Sequence, residues 1–317
     1  MSAAWPALLE RADFCRVRFA LDFYSRCRLG SGELLRLRRP LLAAVRQSID
    51  VAGDGREQRL VPLFEPVASS DPCARRRYQK PAPPFVIRPG LVAAQTVEEG
   101  DRLELEVLFF GAGTARIADF VSSLDLVGQN GLVQGEGHFE VTEAHSCGLH
   151  GELQPLWCQG QRLAHLTPEI HTLASYLDLA IPVSPVWQIT IDTPARLIRN
   201  GQPLRAPRFI QLFPFMLRRV TSMLHAHCGF EVCADARLFM DAAMTISQKQ
   251  ADWKWLDGRE SGRHAPVEPM AGLIGQLLVE GREGLDCLWV IALSALFGVG
   301  RGAAYGAGQL RLEDVGR

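Results

Sequence analysis

The residues from Phe297 to Leu312 read F-G-V-G-R-G-A-A-Y-G-A-G-Q-L-R-L, and their chemistry suits a polyanion. Five glycines, Gly298, Gly300, Gly302, Gly306 and Gly308, surround Arg301 and Tyr305. Glycine lets backbone N–H groups turn outward and a bulky ligand approach the main chain, and the interposed guanidinium supplies charge for a phosphate. The stretch is not a P-loop, because Gly-x-x-x-x-Gly-Lys-Ser/Thr is absent. Nor is it a Rossmann fingerprint, because no helix or ribose-binding acid follows. A glycine-rich turn feeding an edge strand is the other reading of the same residues.

His145, Cys147, His150, Cys158 and His165 are the densest gathering of metal-ligand types. Their spacings match no metal motif, so the segment reads as a loop rich in His and Cys, and neither a metal nor a cofactor is expected. The eight cysteines are scattered without a Cys-x-x-Cys pair, and reduced thiols are expected.

A formal charge of −1 over 317 residues excludes a chain that coats nucleic acid indiscriminately. The basic residues are nonetheless distinctive: apart from Lys80, Lys249 and Lys254, every one is arginine. Arginine's planar fork suits bidentate phosphate contacts and stacks on bases. Arginines cluster at Arg36, Arg38 and Arg39, at Arg75 to Arg77, at Arg218 and Arg219, and at Arg259, Arg263 and Arg301. No apolar run approaches the roughly 20 residues that span a bilayer, and the N-terminus lacks the order of a signal peptide, so a cytoplasmic protein without membrane contact is expected.

The elements that must position these residues are legible in the spacing of apolar side chains. Phe14 to Phe23 alternates as a half-buried strand, and Ser31, Leu34, Leu37, Leu41, Val45 and Ile49 predict a helix with a kink or break at Pro40. Residues 50–89 read as a long Pro/Arg-rich insertion. Leu103 to Phe110 predicts a strand, the segment from Ile117 to Gly128 a helix, and Gly131 to Val141 a glycine-interrupted strand. Thr142 to Pro185 reads as an irregular connection with a short helix near Pro168 to Leu179. Then come a strand over Val186 to Thr193, a helix from Phe209 to Leu224 ending at Gly229, and a helix from Asp235 to Ile246. A strand over Leu273 to Val279, an apolar helix from Leu285 to Leu296 and a closing strand over Gln309 to Leu312 complete the chain.

The predicted class is α+β: two tandem ferredoxin-like (βαββαβ) domains with a C-terminal glycine-rich loop. Residues 1–183 form the first, with the insertion and a connecting segment, and residues 184–317 the second, which carries the loop.

With these pieces in order, the chain resembles the CRISPR-associated endoribonucleases of the RAMP superfamily that process precursor CRISPR RNA. Leu63 to Pro66, Pro81 to Pro89 and Gly100 to Gly113 are similar to the family's entry segment and glycine-terminated strand. Thr193 to Gly201, Leu217 to Gly229, Trp255 to His264, Gly272 to Gly275 and Gly298 to Gly308 follow its order. The resemblance implies binding of a CRISPR repeat RNA and a single metal-independent cut. In that cut the ribose 2′-hydroxyl attacks the adjacent phosphate, leaving a 2′,3′-cyclic phosphate and a 5′-hydroxyl. It also implies a CRISPR effector complex as a partner, and leaves a homodimer open.

Such a cut needs an acid or base and a stabiliser of phosphate charge. His227 is the first candidate, because it continues the inward stripe of its helix one turn before Gly229, where the helix dipole favours imidazolium. A helix-capping or core histidine is the alternative. His225, on another face, reads as surface. Arg259, Ser261, Arg263 and His264 match the family's Arg-x-Ser-x-Arg-Gln segment, which makes Arg263 a phosphate clamp and His264 a second acid or base. The resemblance adds Arg301, Gly298, Gly300, Gly302, Tyr305, Gly306, Gly308, Arg259, Ser261, Arg218, Arg219, Arg38 and Arg39 as RNA contacts. Phe297 stands where this branch commonly has histidine, Arg301 replaces the usual lysine, and no histidine precedes His138. Those departures keep a second reading open, an RNA-holding RAMP subunit of an effector complex with weak or absent cleavage.

Overall fold

The structure, a computed structural model, describes residues 5–52, 55–78, 81–89, 95–133, 135–163, 166–257, 270–281 and 286–316. In the first half β1 (Asp13–Phe23) is central. After α1 (Arg38–Ala52) come β2 (Phe85–Arg88), β3 (Arg102–Phe110), α2 (Ile117–Asn130), β4 (Phe139–Cys147) and β5 (Leu153–Cys158). The sheet order is β2-β3-β1-β4-β5, with all neighbours antiparallel. Counting only the first four strands, the second, third, first and fourth lie side by side, which is the ferredoxin-like arrangement.

The second half repeats it with β6 (Val186–Ala195), α3 (Phe209–Cys228), β7 (Ser247–Leu256), β8 (Gly272–Glu280), α4 (Leu288–Phe297) and β9 (Leu310–Asp314), in the order β7-β8-β6-β9. No helix among the described residues is long and apolar enough to cross a membrane.

Strand periodicity explains how the halves are joined, since successive side chains point to opposite faces. Phe85, Ile87, Leu105, Val107 and Phe109 enter the core beneath α1 and α2 with Val17, Phe19 and Phe120. Their alternates Phe14, Val86, Leu108 and Phe110 enter the other core with α3 and α4. Phe110 meets Phe297 of α4 with ring centroids 4.9 Å apart. The Arg88 guanidinium donates to the carbonyls of Ala295 at 2.6 Å and Leu296 at 3.4 Å, at the negative end of the α4 dipole. Nearly every residue of α4 is buried, as expected of a helix apolar all round.

Several boundaries differ from the sequence expectation. The first helix breaks before Pro40, between Ser31–Leu34 and α1, and Pro40 sits in the first turn of α1, where its missing N–H is not needed. Residues 50–89 are not a featureless insertion: they hold the helices Arg56–Phe64 and Pro72–Tyr78 and supply β2, the strand the first ferredoxin-like unit otherwise lacks. The strand expected from Gly131 begins only at Phe139, because Gly131, Gly135 and Gly137 adopt positive φ in a turn. The region read as an irregular connection also contributes the end of β4 and β5, while its expected short helix runs over Leu173–Ala180, capped by Thr172. β7 was not anticipated. It is an edge strand with mostly exposed polar side chains, so it lacks an apolar signature.

Candidate nucleic-acid interface

The glycine-rich turn divides into an exposed and a buried half. Arg301 and Gly302 are exposed, Gly300 is half-buried, and Gly298 and residues 303–308 are buried. The backbone closes on itself where Val299 N–H donates to Gly308 O at 2.8 Å, and a Cβ on Gly308 would lie 2.0 Å from Val299 O. Thr193 Oγ1 donates to Gly306 O at 2.6 Å and accepts from Gln309 N–H at 2.8 Å, pinning the turn to β6. Tyr305 inserts into the core of the first half, edge-on to Phe85 at 5.5 Å, and burial pushes its phenol up. The expectation that Gly298, Tyr305, Gly306 and Gly308 present a surface to RNA is therefore corrected: all four are buried, Tyr305 and Gly306 against Phe85 and Pro89 of the first half, Gly298 and Gly308 where the turn closes on itself and on β6. Gly300, Arg301 and Gly302 remain at the surface, where Arg301 N–H donates to Arg196 O at 3.2 Å.

α3 positions the histidines. Its apolar stripe from Phe209 to Leu224 is buried, and Gly229 ends it in the left-handed conformation at φ 72°. His227 turns toward the first half, its Nε2 2.8 Å from Ala82 O, so that nitrogen carries the donating proton. Burial pulls its pKa down from 6.5 to about 4, with the Ala82 bond opposing and the Arg219 charge assisting. The expected imidazolium is thus a neutral imidazole, because desolvation outweighs the helix dipole at this helix end.

His225, read as mere surface, lines a hollow instead. Its ring is half-buried and stacks on Tyr78 at 4.4 Å and 20°. Its Nδ1 is 4.0 Å from the Glu231 carboxylate, and Tyr78 Oη donates to Glu231 at 2.7 Å. Ser222 Oγ, one turn back, donates to Tyr78 O at 3.4 Å.

Two hollows meet at Tyr78 and Ser222. One, of about 580 Å³, runs past His225 and His227 to Arg59 and Arg116. The other, of about 350 Å³, is walled by Arg196, Arg218, Arg219 and Arg301 around Gly300. Together they form a groove along α3 lined by six arginines and, among the described residues, no Asp or Glu. Arg59 and Arg116 are balanced by Asp119 at 3.8 and 3.3 Å, whereas Arg196, Arg218 and Arg301 have no carboxylate partner among the described residues.

Arg38 and Arg39, expected at the RNA, lie on α1 outside this groove, and Arg38 pairs with Glu65 at 3.5 Å. Arg259, Ser261, Arg263 and His264 lie outside the described residues. Among the described residues no three His, Cys, Asp or Glu side chains gather as metal ligands would.

Sequence reasoning missed His225, Tyr78, Ser222 and Arg196. Phe215, Arg218, Ser222 and His225, spaced three and four apart, form a second stripe beside the core stripe of α3, and that spacing was the available signal.

Residues 189–310 match the family model of the CRISPR-associated endoribonuclease Cas6, and residues 57–169 match a model described as an N-terminal domain. No curated protein sequence matched the chain. Among solved structures, a chain of a partial Cas6-RT-Cas1–Cas2 complex superposes with a TM-score of 0.60 at 14% identity over 95% of this chain and 46% of that one. A second such chain is covered to 29%, so this sequence spans less than half of either. A Cas6 substrate mimic complex gives 0.51 at 16% identity over 95% of this chain and 99% of that one. A product complex of a Thermus thermophilus Cas6 gives 0.52 at 12% identity, with 95% and 99% covered. Residues 189–310 thus match the CRISPR-associated endoribonuclease Cas6 model, and the chain shares the fold of the solved Cas6 proteins along nearly its whole length.

Proposed function

We propose that the protein binds CRISPR repeat RNA in the groove along α3 and cuts it once, as a precursor crRNA processing endoribonuclease. The observation that carries this reading is a cleft whose described lining holds six arginines and no Asp or Glu, four of those arginines without a carboxylate partner among the described residues, with a half-buried imidazole beside its middle. The match of residues 189–310 to the Cas6 endoribonuclease model supports it, as do solved relatives described as Cas6 substrate mimic and product complexes. The two ferredoxin-like domains divide near residues 183 and 184 and face each other across this groove.

In the proposed reaction the 2′-oxygen attacks the adjacent phosphorus while its proton passes to a base. The bond from phosphorus to the 5′-oxygen breaks, and that oxygen takes up a proton, leaving a 2′,3′-cyclic phosphate and a 5′-hydroxyl. The step balances without a metal. His225 is the acid–base group: Glu231 faces its Nδ1 and Tyr78 holds its plane, which leaves Nε2 for the RNA. Arg218 and Arg301 offset the charge that develops on the phosphate. His227, neutral and bonded to Ala82, positions the chain rather than transferring protons.

A second reading, an RNA-holding subunit of an effector complex, is favoured by one observation. Phe297 is buried and His227 is engaged, so among the described residues a single accessible imidazole serves the groove. Labelled repeat RNA incubated with the purified protein in EDTA separates the two. One cut that vanishes when the scissile nucleotide is 2′-deoxy establishes the nuclease. Tight binding with no cut establishes the subunit, and absence of RNA binding refutes both.

A further inference from the structure

We infer that the hollow walled by Arg196, Arg218, Arg219 and Arg301 is an anion subsite that seats a backbone phosphate of the bound RNA, with Arg219 as its floor. The inference rests on the reading of the groove as an RNA site. Arg219 is the unusual member. Its Nε donates to Phe297 O at 3.2 Å, while its Nη2 is buried and has no hydrogen-bond partner. A half-buried guanidinium with one amino group sealed from water, and with neither acceptor nor counter-ion for it among the described residues, is costly, and a ligand that supplies the missing charge and acceptor relieves that cost. Desolvation lowers its pKa only to about 10, so it stays cationic near neutrality.

Capping α4 does not explain all of Arg219. Arg88 already donates to Ala295 O and Leu296 O at that helix end, and the Phe297 contact uses only Nε of Arg219. The rim completes the site. Arg196, Arg218 and Arg301 are exposed, and among the described residues none has a carboxylate partner and no acid lines the hollow. Gly300 lets the turn stand close to the segment that carries Arg196: at φ 83° its Cβ would lie 2.9 Å from Arg196 O and 3.1 Å from the Leu197 side chain. A tetrahedral anion with several acceptor oxygens satisfies such converging forks better than a planar carboxylate or a nucleobase edge does.

The test compares Arg219→Met and the rim variant Arg196→Met with the wild-type protein, using labelled CRISPR repeat RNA over a series of salt concentrations and thermal melts with and without inorganic phosphate. Each variant is expected to weaken RNA binding about tenfold at low salt and to flatten the slope of log K against log salt by roughly 0.7, the value for one phosphate on a single strand. Phosphate is expected to raise the wild-type Tm but not that of Arg219→Met, whose own Tm stays level or rises because an unpaired buried charge is gone. An Arg219→Met protein that melts earlier yet binds RNA with wild-type affinity and slope refutes the subsite and makes Arg219 a strut. Phosphate stabilisation with unchanged RNA binding in both variants refutes the RNA source of the anion. If Arg219→Met does not fold, Arg196→Met carries the slope measurement. Normal cleavage by either variant with unaltered slope removes only the subsite, whereas a wild-type protein that ignores RNA removes the reading beneath it.

Discussion

Replacing His227 by glutamine gives the most discriminating test of how α3 is used. The ring is held neutral between Ala82 O, 2.8 Å from Nε2, and the core, with its pKa drawn from 6.5 to about 4 by burial. The unfolded chain takes up this proton as the pH falls through about 6.5, and the folded chain only near 4, so folding stability is lost across that window as the solution is acidified. Each pH unit inside the window is worth about 1.4 kcal/mol, and the whole interval about 3 kcal/mol. The glutamine amide reaches the same carbonyl and does not titrate, so His227→Gln removes this loss while the other groups titrate alike in both proteins. Urea unfolding followed by tryptophan fluorescence at pH 7.5, 5.5 and 4.5 measures it. The wild-type protein is expected to lose about 1 kcal/mol more than the variant at pH 5.5 and about 2–3 kcal/mol more at pH 4.5. Parallel stability curves would show that the ring is solvated and available for chemistry. Cleavage at pH 7.5 per folded molecule is expected to be unchanged, and a hundredfold loss there would return His227 to the acid–base role.

Three further substitutions probe the groove and the joint between the halves. His225→Ala is expected to slow cleavage by about 10²–10⁴-fold while RNA affinity changes far less, measured by single-turnover cleavage beside equilibrium binding. Tyr305→Ala empties a space against Phe85 in the first core and is expected to cost about 3–5 kcal/mol in chemical denaturation, although the residue belongs to the second half by sequence. Gly111→Ala sets a Cβ 2.4 Å from the backbone carbonyl of His227 at φ 52°, and a loss of at least about 2 kcal/mol in the same assay is expected because neither backbone can yield.

What the sequence carried, and what it did not, follows from where side-chain patterns report burial. β1, β3, β6, β8, β9 and the helices α2, α3 and α4 are written in apolar periodicity, because each puts one face or all of itself into a core. β7 was silent because an exposed edge has nothing to bury, and β2 because four residues between prolines and arginines look like a linker until β3 pairs with them. The histidines show a subtler limit. Helical spacing placed His227 on the inward side correctly, but inward at that turn means against Ala82 and Phe110 of the other half, and no periodicity within one helix encodes what lies opposite. At His227 the helix dipole favours the cation, but desolvation outranks it. A dipole stabilises a cation by about 0.3–1 kcal/mol at an exposed helix end, while burying an imidazolium costs several times that. The glycine turn divides for the same reason. Five glycines report that the backbone approaches something closely, and here all five approach other parts of this chain, namely Pro89 at Gly306, Val299 at Gly308, Arg196 at Gly300, Ala307 at Gly302, and the 303 and 307–308 segment at Gly298. Only the short exposed rise at Arg301 and Gly302 faces outward, and it does so beside the guanidiniums of Arg196 and Arg218, which have no carboxylate partner among the described residues. A polyanion is therefore met by side chains gathered from the residue that follows β6, from α3 and from the turn, with the glycines setting how near those three segments can stand.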